Sequence, residues 1–140
     1  MSAEAFIDTN VFIYQLEASD PRKYPIAERI VRDAVATGNA CISFQVIQEC
    51  LNTVTRKAEI ALDVAGAQAY LETVLAPLCT VAASVALYRR GLDIQARWRL
   101  GFYDALIVAA ALEAGCKRLC TEDLQHGQRI EGLTIDNPFR

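Results

Sequence analysis

Four acids in this sequence stand where acids are unusual. Asp8 lies between Phe6-Ile7 and Val11-Phe12, Glu49 among Val46, Ile47, Cys50 and Leu51, and Asp104 between Phe102-Tyr103 and Ala105-Leu106-Ile107. Asp123 closes the segment Thr121-Glu122-Asp123, just after Leu119-Cys120. A carboxylate taken out of water must find a partner or bind a proton. The chain has 11 arginines and three lysines, yet none adjoins any of the four acids in sequence. A divalent cation is then the economical partner. Hard oxygen donors favour Mg²⁺ or Mn²⁺ over softer metals. The single histidine, His126, argues against a zinc site of the usual histidine–cysteine kind.

Each acid alone also has an ordinary role. Asp8 before Thr9-Asn10 suits a helix N-cap, and Glu49 a solvated stripe with Gln45, Asn52 and Arg56. Asp104 suits the positive end of a helix dipole, and Asp123 a turn. What decides between the readings is where the elements put the four together.

Short apolar runs alternate with longer helical patterns. Residues 5–7, 40–42, 78–81 and 118–120 predict strands, and 133–135 a fifth. Between them, helices are expected over 11–17, 26–35, 44–57, 63–75, 84–98 and 103–114. Gly38 is placed to end the second of these, Ser43 and Asp63 to cap the third and fourth, Pro77 to stop the fourth, and Leu100-Gly101 to break the fifth. Strands separated by helices imply βαβ units: an α/β fold, a three-layer α/β/α sandwich around a parallel sheet of about five strands, in one domain spanning residues 1–140. Crossover helices run antiparallel to their strands, so their N-termini sit at the strands' carboxyl edge. Asp8 ends the first strand, Asp123 follows the fourth, and Glu49 and Asp104 lie early in helices. All four are therefore expected on one rim, where open parallel sheets carry their functional crevice.

Composition narrows the class. The chain is 53% hydrophobic and 22% charged, as in globular rather than disordered proteins. With 17 acidic against 14 basic residues the net charge is −3, which excludes whole-surface attraction to nucleic acid. Any such contact must be local or run through bound cations. The five cysteines include no Cys-x-x-Cys, and most sit in apolar runs as small buried thiols. That pattern, with no signal-like N-terminus, predicts a reducing, cytoplasmic setting. The longest clean apolar run, residues 105–112, is far short of the roughly 20 residues that span a bilayer, so no membrane partner is expected.

Four stretches carry a family likeness: Phe6-Ile7-Asp8-Thr9-Asn10-Val11, Ser43-Phe44-Gln45-Val46-Ile47-Gln48-Glu49, Gly101-Phe102-Tyr103-Asp104-Ala105-Leu106-Ile107-Val108-Ala109-Ala110-Ala111 and Leu119-Cys120-Thr121-Glu122-Asp123-Leu124. Over nearly its whole length the sequence resembles the PIN-domain ribonucleases, and among them the VapC-type toxins of bacterial type II toxin–antitoxin pairs. The resemblance implies Mg²⁺- or Mn²⁺-dependent cleavage of RNA phosphodiester bonds, leaving 5′-phosphate and 3′-hydroxyl ends. Asp8, Glu49, Asp104 and Asp123 fall on the family's acidic positions. Thr121 matches a hydroxyl position beside the metal, and Thr9 and Asn10 are supporting candidates. Gly101 departs from the serine that many relatives carry before the Asp104 helix. The likeness also implies an antitoxin whose basic tail covers the acidic rim, and a homodimer. A housekeeping RNA-processing PIN nuclease without an antitoxin stays open as an alternative, as does a catalytically silent PIN scaffold. A receiver domain and a haloacid-dehalogenase-type phosphatase fit worse. The first wants a second acid at the first strand end and a late lysine, the second an aspartate where Asn10 stands.

Arg89, Arg90, Arg97 and Arg99 cluster ahead of the Asp104 segment and are candidates for the RNA backbone, against a plain solvated helix face. Trp98 and Tyr103 can stack bases, but their spacing, like that of Phe44, Tyr88 and Phe102, fits the core better.

Overall fold

Strand β1 (Ala5–Ile7) is buried along its whole length, as an inner strand with helices on both faces must be. The computed structural model describes residues 3–57 and 59–140. β1 pairs in parallel with β2 (Ala40–Ser43) on one side and β4 (Arg118–Cys120) on the other. The sheet continues in parallel from β2 to β3 (Cys79–Val81) and from β4 to β6 (Leu133–Asp136). β5 (Arg129–Ile130) adds an antiparallel edge, giving the order β3-β2-β1-β4-β6-β5. The α/β/α expectation holds, with six strands rather than about five. The strand that escaped the pattern is only two residues long. It is joined to β6 by Glu131-Gly132, both at positive φ (50° and 91°), the two-residue hairpin whose twist suits the strands. Glutamate in that first position is not a turn signal, so the hairpin was hidden.

Helices α1 (Thr9–Leu16) and α2 (Lys23–Thr37) connect β1 to β2. α2 starts before residue 26 because Asp20 accepts hydrogen bonds from the backbone N–H groups of Arg22 and Lys23, and it ends where expected, at left-handed Gly38. α3 (Phe44–Val54) follows β2 directly and stops short of Lys57. The Thr53 and Thr55 hydroxyls there donate to the carbonyls of Glu49 and Leu51, competing with the ladder. The next helix is split. α4 (Val64–Tyr70), capped by Asp63 as predicted, runs into a wider π-helical segment (Leu71–Leu75) and a final turn, α5 (Ala76–Leu78). Pro77 has no N–H to continue the ladder and is absorbed in α5, so β3 starts at Cys79. Ser84 caps α6 (Val85–Trp98), and α7 (Phe102–Glu113) leads into β4.

The core lies where these layers meet, with Phe6, Ile7, Phe12, Ile42, Leu119 and Ile135 fully buried. All five cysteines are free thiols, four of them buried and Cys79 half-buried, in line with the small-hydrophobe reading. Among the described residues no helix is long and apolar enough to cross a membrane. α6 and α7 approach closely at Gly91, where a Cβ would stand 3.3 Å from Leu106 Cδ1 and 3.6 Å from Leu106 Cα. A branched side chain has no room there. Gly91→Val is expected to lower the unfolding free energy by about 1–3 kcal/mol in urea titrations, as overpacked sites do.

Candidate active site

Strand order reverses between β1, which leads outward to β2 and β3, and β4, which leads to β6. Asp8 follows β1 and Thr121 follows β4, so both stand at this switch point. The Asp8 N–H donates to Cys120 O (3.0 Å), which ties the start of the site to the sheet. Asp8 is 6% exposed and Thr121 fully buried. Asp8 Oδ1 accepts from the Thr9 N–H (2.7 Å) and Oδ2 from Thr121 Oγ1 (2.8 Å). The helix-cap role weighed from sequence is therefore real, and the same carboxylate also faces the rim.

The neighbours are linked through it. Thr9 Oγ1 donates to Glu49 Oε1 (2.7 Å), and Asn10 Nδ2 to Asp123 Oδ2 (3.2 Å). Thr9, Asn10 and Thr121 thus each hold or touch one of the predicted acids. Gln45 is the residue that sequence reasoning missed. The ordinary reading of Glu49 would share a solvated stripe with it, but Gln45 is buried. Its Nε2 donates to Glu49 Oε2 (3.3 Å) and to Tyr103 O (3.2 Å), so it ties α3 to the first turn of α7, where Asp104 stands. Its i, i+4 spacing to Glu49 was the available signal.

The electrostatics show an unfinished site. Burial, followed in effect by the charges of Asp123 and Glu49, pushes the Asp8 carboxyl up to about 7, against the lowering by Thr121 and Thr9. Burial, then Asp123 and Glu49, also raises Asp104. Asp8 and Asp104 therefore each feel the charges of Asp123 and Glu49. None of the ion pairs among the described residues includes any of them. Asn10 Oδ1 is buried without a hydrogen-bond partner. As the side chains stand, no three carboxylates among the described residues close on one point, because Glu49 and Asp123 are turned into internal hydrogen bonds. The donor set is nonetheless all oxygen, anionic and short of cations, and it fits a hard divalent ion.

A cleft of about 440 Å³ opens onto Thr9, Asn10, Glu49 and Asp123. A hollow of about 490 Å³ between α2 and the sheet is larger, but it holds none of the acids. The four predicted arginines do not line the acidic cleft. Arg89 and Arg90 border a separate hollow on α6, and Arg90 pairs with Glu131 at 3.7 Å. Arg97 and Arg99 lie exposed at the end of α6. Tyr103 corrects the core reading: it is 66% exposed, and Tyr88 is exposed too, whereas Trp98, Phe44 and Phe102 are partly buried.

The PIN domain model matches residues 5–129. The chain belongs to the PIN domain family. Solved structures agree on the fold of this PIN domain. A toxin–antitoxin complex from Klebsiella pneumoniae is 18% identical, with a TM-score of 0.67 and coverage of 97% of this chain and 98% of that one. DNA-bound VapBC from Salmonella typhimurium is 21% identical, also with a TM-score of 0.67 and the same coverage. VapC20 of Mycobacterium tuberculosis, a sarcin–ricin loop cleaving toxin, is 21% identical, with a TM-score of 0.62 and coverage of 86% and 92%. No curated protein matches the chain.

The raised Asp8 carboxyl has a consequence for stability. A group whose folded pKa lies above its unfolded value holds its proton better in the folded state. Its penalty is absent below about pH 4, grows between about 4 and 7, and stays level above that, reaching about 4 kcal/mol at most. Metal-free protein is therefore expected to lose urea resistance from pH 5 to pH 8, and Asp8→Asn to flatten that fall. Equal pH slopes for the two proteins would refute the assignment.

Proposed function

We propose that this PIN domain is a Mg²⁺- or Mn²⁺-dependent endoribonuclease and the toxin of a toxin–antitoxin pair, acting in the cytoplasm. The observation that carries the reading is the buried Asp8 carboxylate, which feels the charges of Asp123 and Glu49 and pairs with no cation among the described residues. Asp8 and Asp104 would hold the ion, with Glu49 and Asp123 completing its surroundings. Once bound, a divalent ion supplies charge neutralisation and Lewis acidity at the phosphate. The chain's own residues do the rest. Thr121 and the Thr9 N–H fix the orientation of Asp8. Gln45 and Thr9 hold Glu49 at the cleft, where its Oε atoms can take a proton from the attacking water. Asn10 holds Asp123 at the opposite wall. Water adds to phosphorus and the P–O3′ bond breaks, leaving 5′-phosphate and 3′-hydroxyl ends.

Support for the toxin reading comes from the fold's neighbours, which include VapBC complexes and VapC20. An antitoxin whose basic tail lies over the acidic rim, and a homodimer, belong to the same reading, with Arg97 and Arg99 beside α7 as further RNA contacts. A small adjacent gene whose product binds this chain and blocks its activity separates a toxin from a housekeeping nuclease.

Two substitutions test the centre. Asp8→Asn and Asp104→Asn are expected to keep the far-UV circular dichroism of the parent and to lose more than about 100-fold in RNA cleavage across a Mn²⁺ titration. EDTA should silence the parent. Parental rates in both variants would remove the proposed role of these acids.

A further inference from the structure

This inference rests on the nuclease reading and carries it beyond the scissile phosphate. The cleft that takes in Thr9, Asn10, Glu49 and Asp123 does not end at the acids. It runs on between α1 and α3 to Tyr14, Glu17, Asn52, Thr53 and Lys57. A second hollow, sharing Asn52, Thr53 and Lys57, adds Arg56. Among the described residues Lys57 is the one cationic side chain lining the acidic cleft. Its ammonium is tied to the carboxylate of Glu17, which also accepts from Ser19 Oγ (2.8 Å). The Lys57 side chain is 39% exposed and that of Glu17 17%.

Two ordinary explanations exist for this lysine. It lies just past the C-terminal end of α3, where a cation complements the helix dipole, and it fastens α3 to α1 through Glu17. Neither explains why Lys57 and its partner Glu17 both line the cleft that holds Glu49 and Asp123. A nucleic-acid strand brought to that cleft meets carboxylates at the reacting end, and its neighbouring phosphates need a cation nearby. The pair is open to solvent on the Lys57 side, where an ion pair is weakened, so a strand held at several points can displace Glu17.

We propose that Lys57, with Asn52 beside it, binds a non-scissile phosphate of the RNA backbone, and that Glu17 occupies this phosphate position until the strand arrives. Glu17 is then an internal competitor, and the two members of one ion pair have opposite effects on substrate binding. A purely structural pair gives effects of the same sign, because removing either partner breaks the same contact.

The test uses the full chain, a labelled single-stranded RNA and Mg²⁺, and reads KM by cleavage and Kd by fluorescence anisotropy. Lys57→Gln is expected to raise both about tenfold and to flatten the dependence of log Kd on log salt by about 0.7. Glu17→Gln is expected to lower both about threefold or more, with the effects falling on KM rather than kcat. Lys57→Arg, which keeps the cation, should restore affinity. Shifts of the same sign in Lys57→Gln and Glu17→Gln, or no shift in either, would overturn the proposal. If the parent binds RNA without cutting it and the two variants still shift Kd in opposite directions, the phosphate site stands and the nuclease reading falls. If the parent cuts RNA and the variants shift together, only the phosphate site falls.

Discussion

The charge of Asp8 constrains the rest of the site. Its backbone belongs to the sheet through the bond to Cys120, so the residue cannot swing out towards water. Its carboxylate is enclosed at the point where the strand order turns. Two hydrogen bonds, from Thr121 and Thr9, offset part of the desolvation and leave the carboxyl far above its ordinary range. A polypeptide that wanted only a helix cap there would leave it at the surface. The chain instead surrounds it with more negative charge and leaves Asn10 Oδ1 unpartnered. Positive charge brought to the rim would offset that burial and repulsion.

The helices around the sheet carry the other acids to that point. α3 begins directly at the end of β2, so Glu49 reaches the rim in its second turn, and Gln45 one turn earlier stitches it to the α7 backbone. Asp104 enters on the first turn of α7. Asp123 comes on the loop after β4, held by Asn10 from α1. Each acid thus belongs to a different element, and their mutual repulsion is contained by the packing of the layers beneath them. The net charge of −3 means that the molecule as a whole does not attract an anionic strand. Any attraction to such a strand has to be local, and among the described residues Lys57 is the one cationic side chain lining the cleft.

Much of this was legible in the residues. The apolar strand runs, the cap at Asp63, the stop at Gly38 and the place of the four acids at the ends of strands and starts of helices all follow from periodicity and topology, whereas Ser43, expected as a cap, makes no side-chain cap hydrogen bond. What escaped did so for physical reasons. The β5–β6 hairpin turns on a glutamate in a left-handed conformation, which only the pairing of Ile130 with Leu133 makes worthwhile. Pro77 was expected to end a helix, yet the chain continues through a final α-helical turn, α5, in which Pro77 lies near the start. Gln45 looked polar and therefore exposed, whereas its amide was needed inside. The arginine cluster drew attention by its density, but none of its members lines the acidic cleft, and Arg89 and Arg90 border a separate hollow. Density along a chain is not direction in space.

The contact between Gly91 and Leu106 has a longer reach than its size suggests. It is a close approach of α6 to α7, and Asp104 lies less than one helical turn before Leu106. As sequences drift, the outer face of α6 is free to trade one polar residue for another. Position 91 is not, because a Cβ there already presses on Leu106, and a larger side chain needs room that the start of α7 would have to give. A substitution on the far side of a helix would then be felt as a change in the spacing of the acids. Among descendants of this chain, an absent side chain at position 91 is a better sign of an intact centre than any residue on the surface of α6.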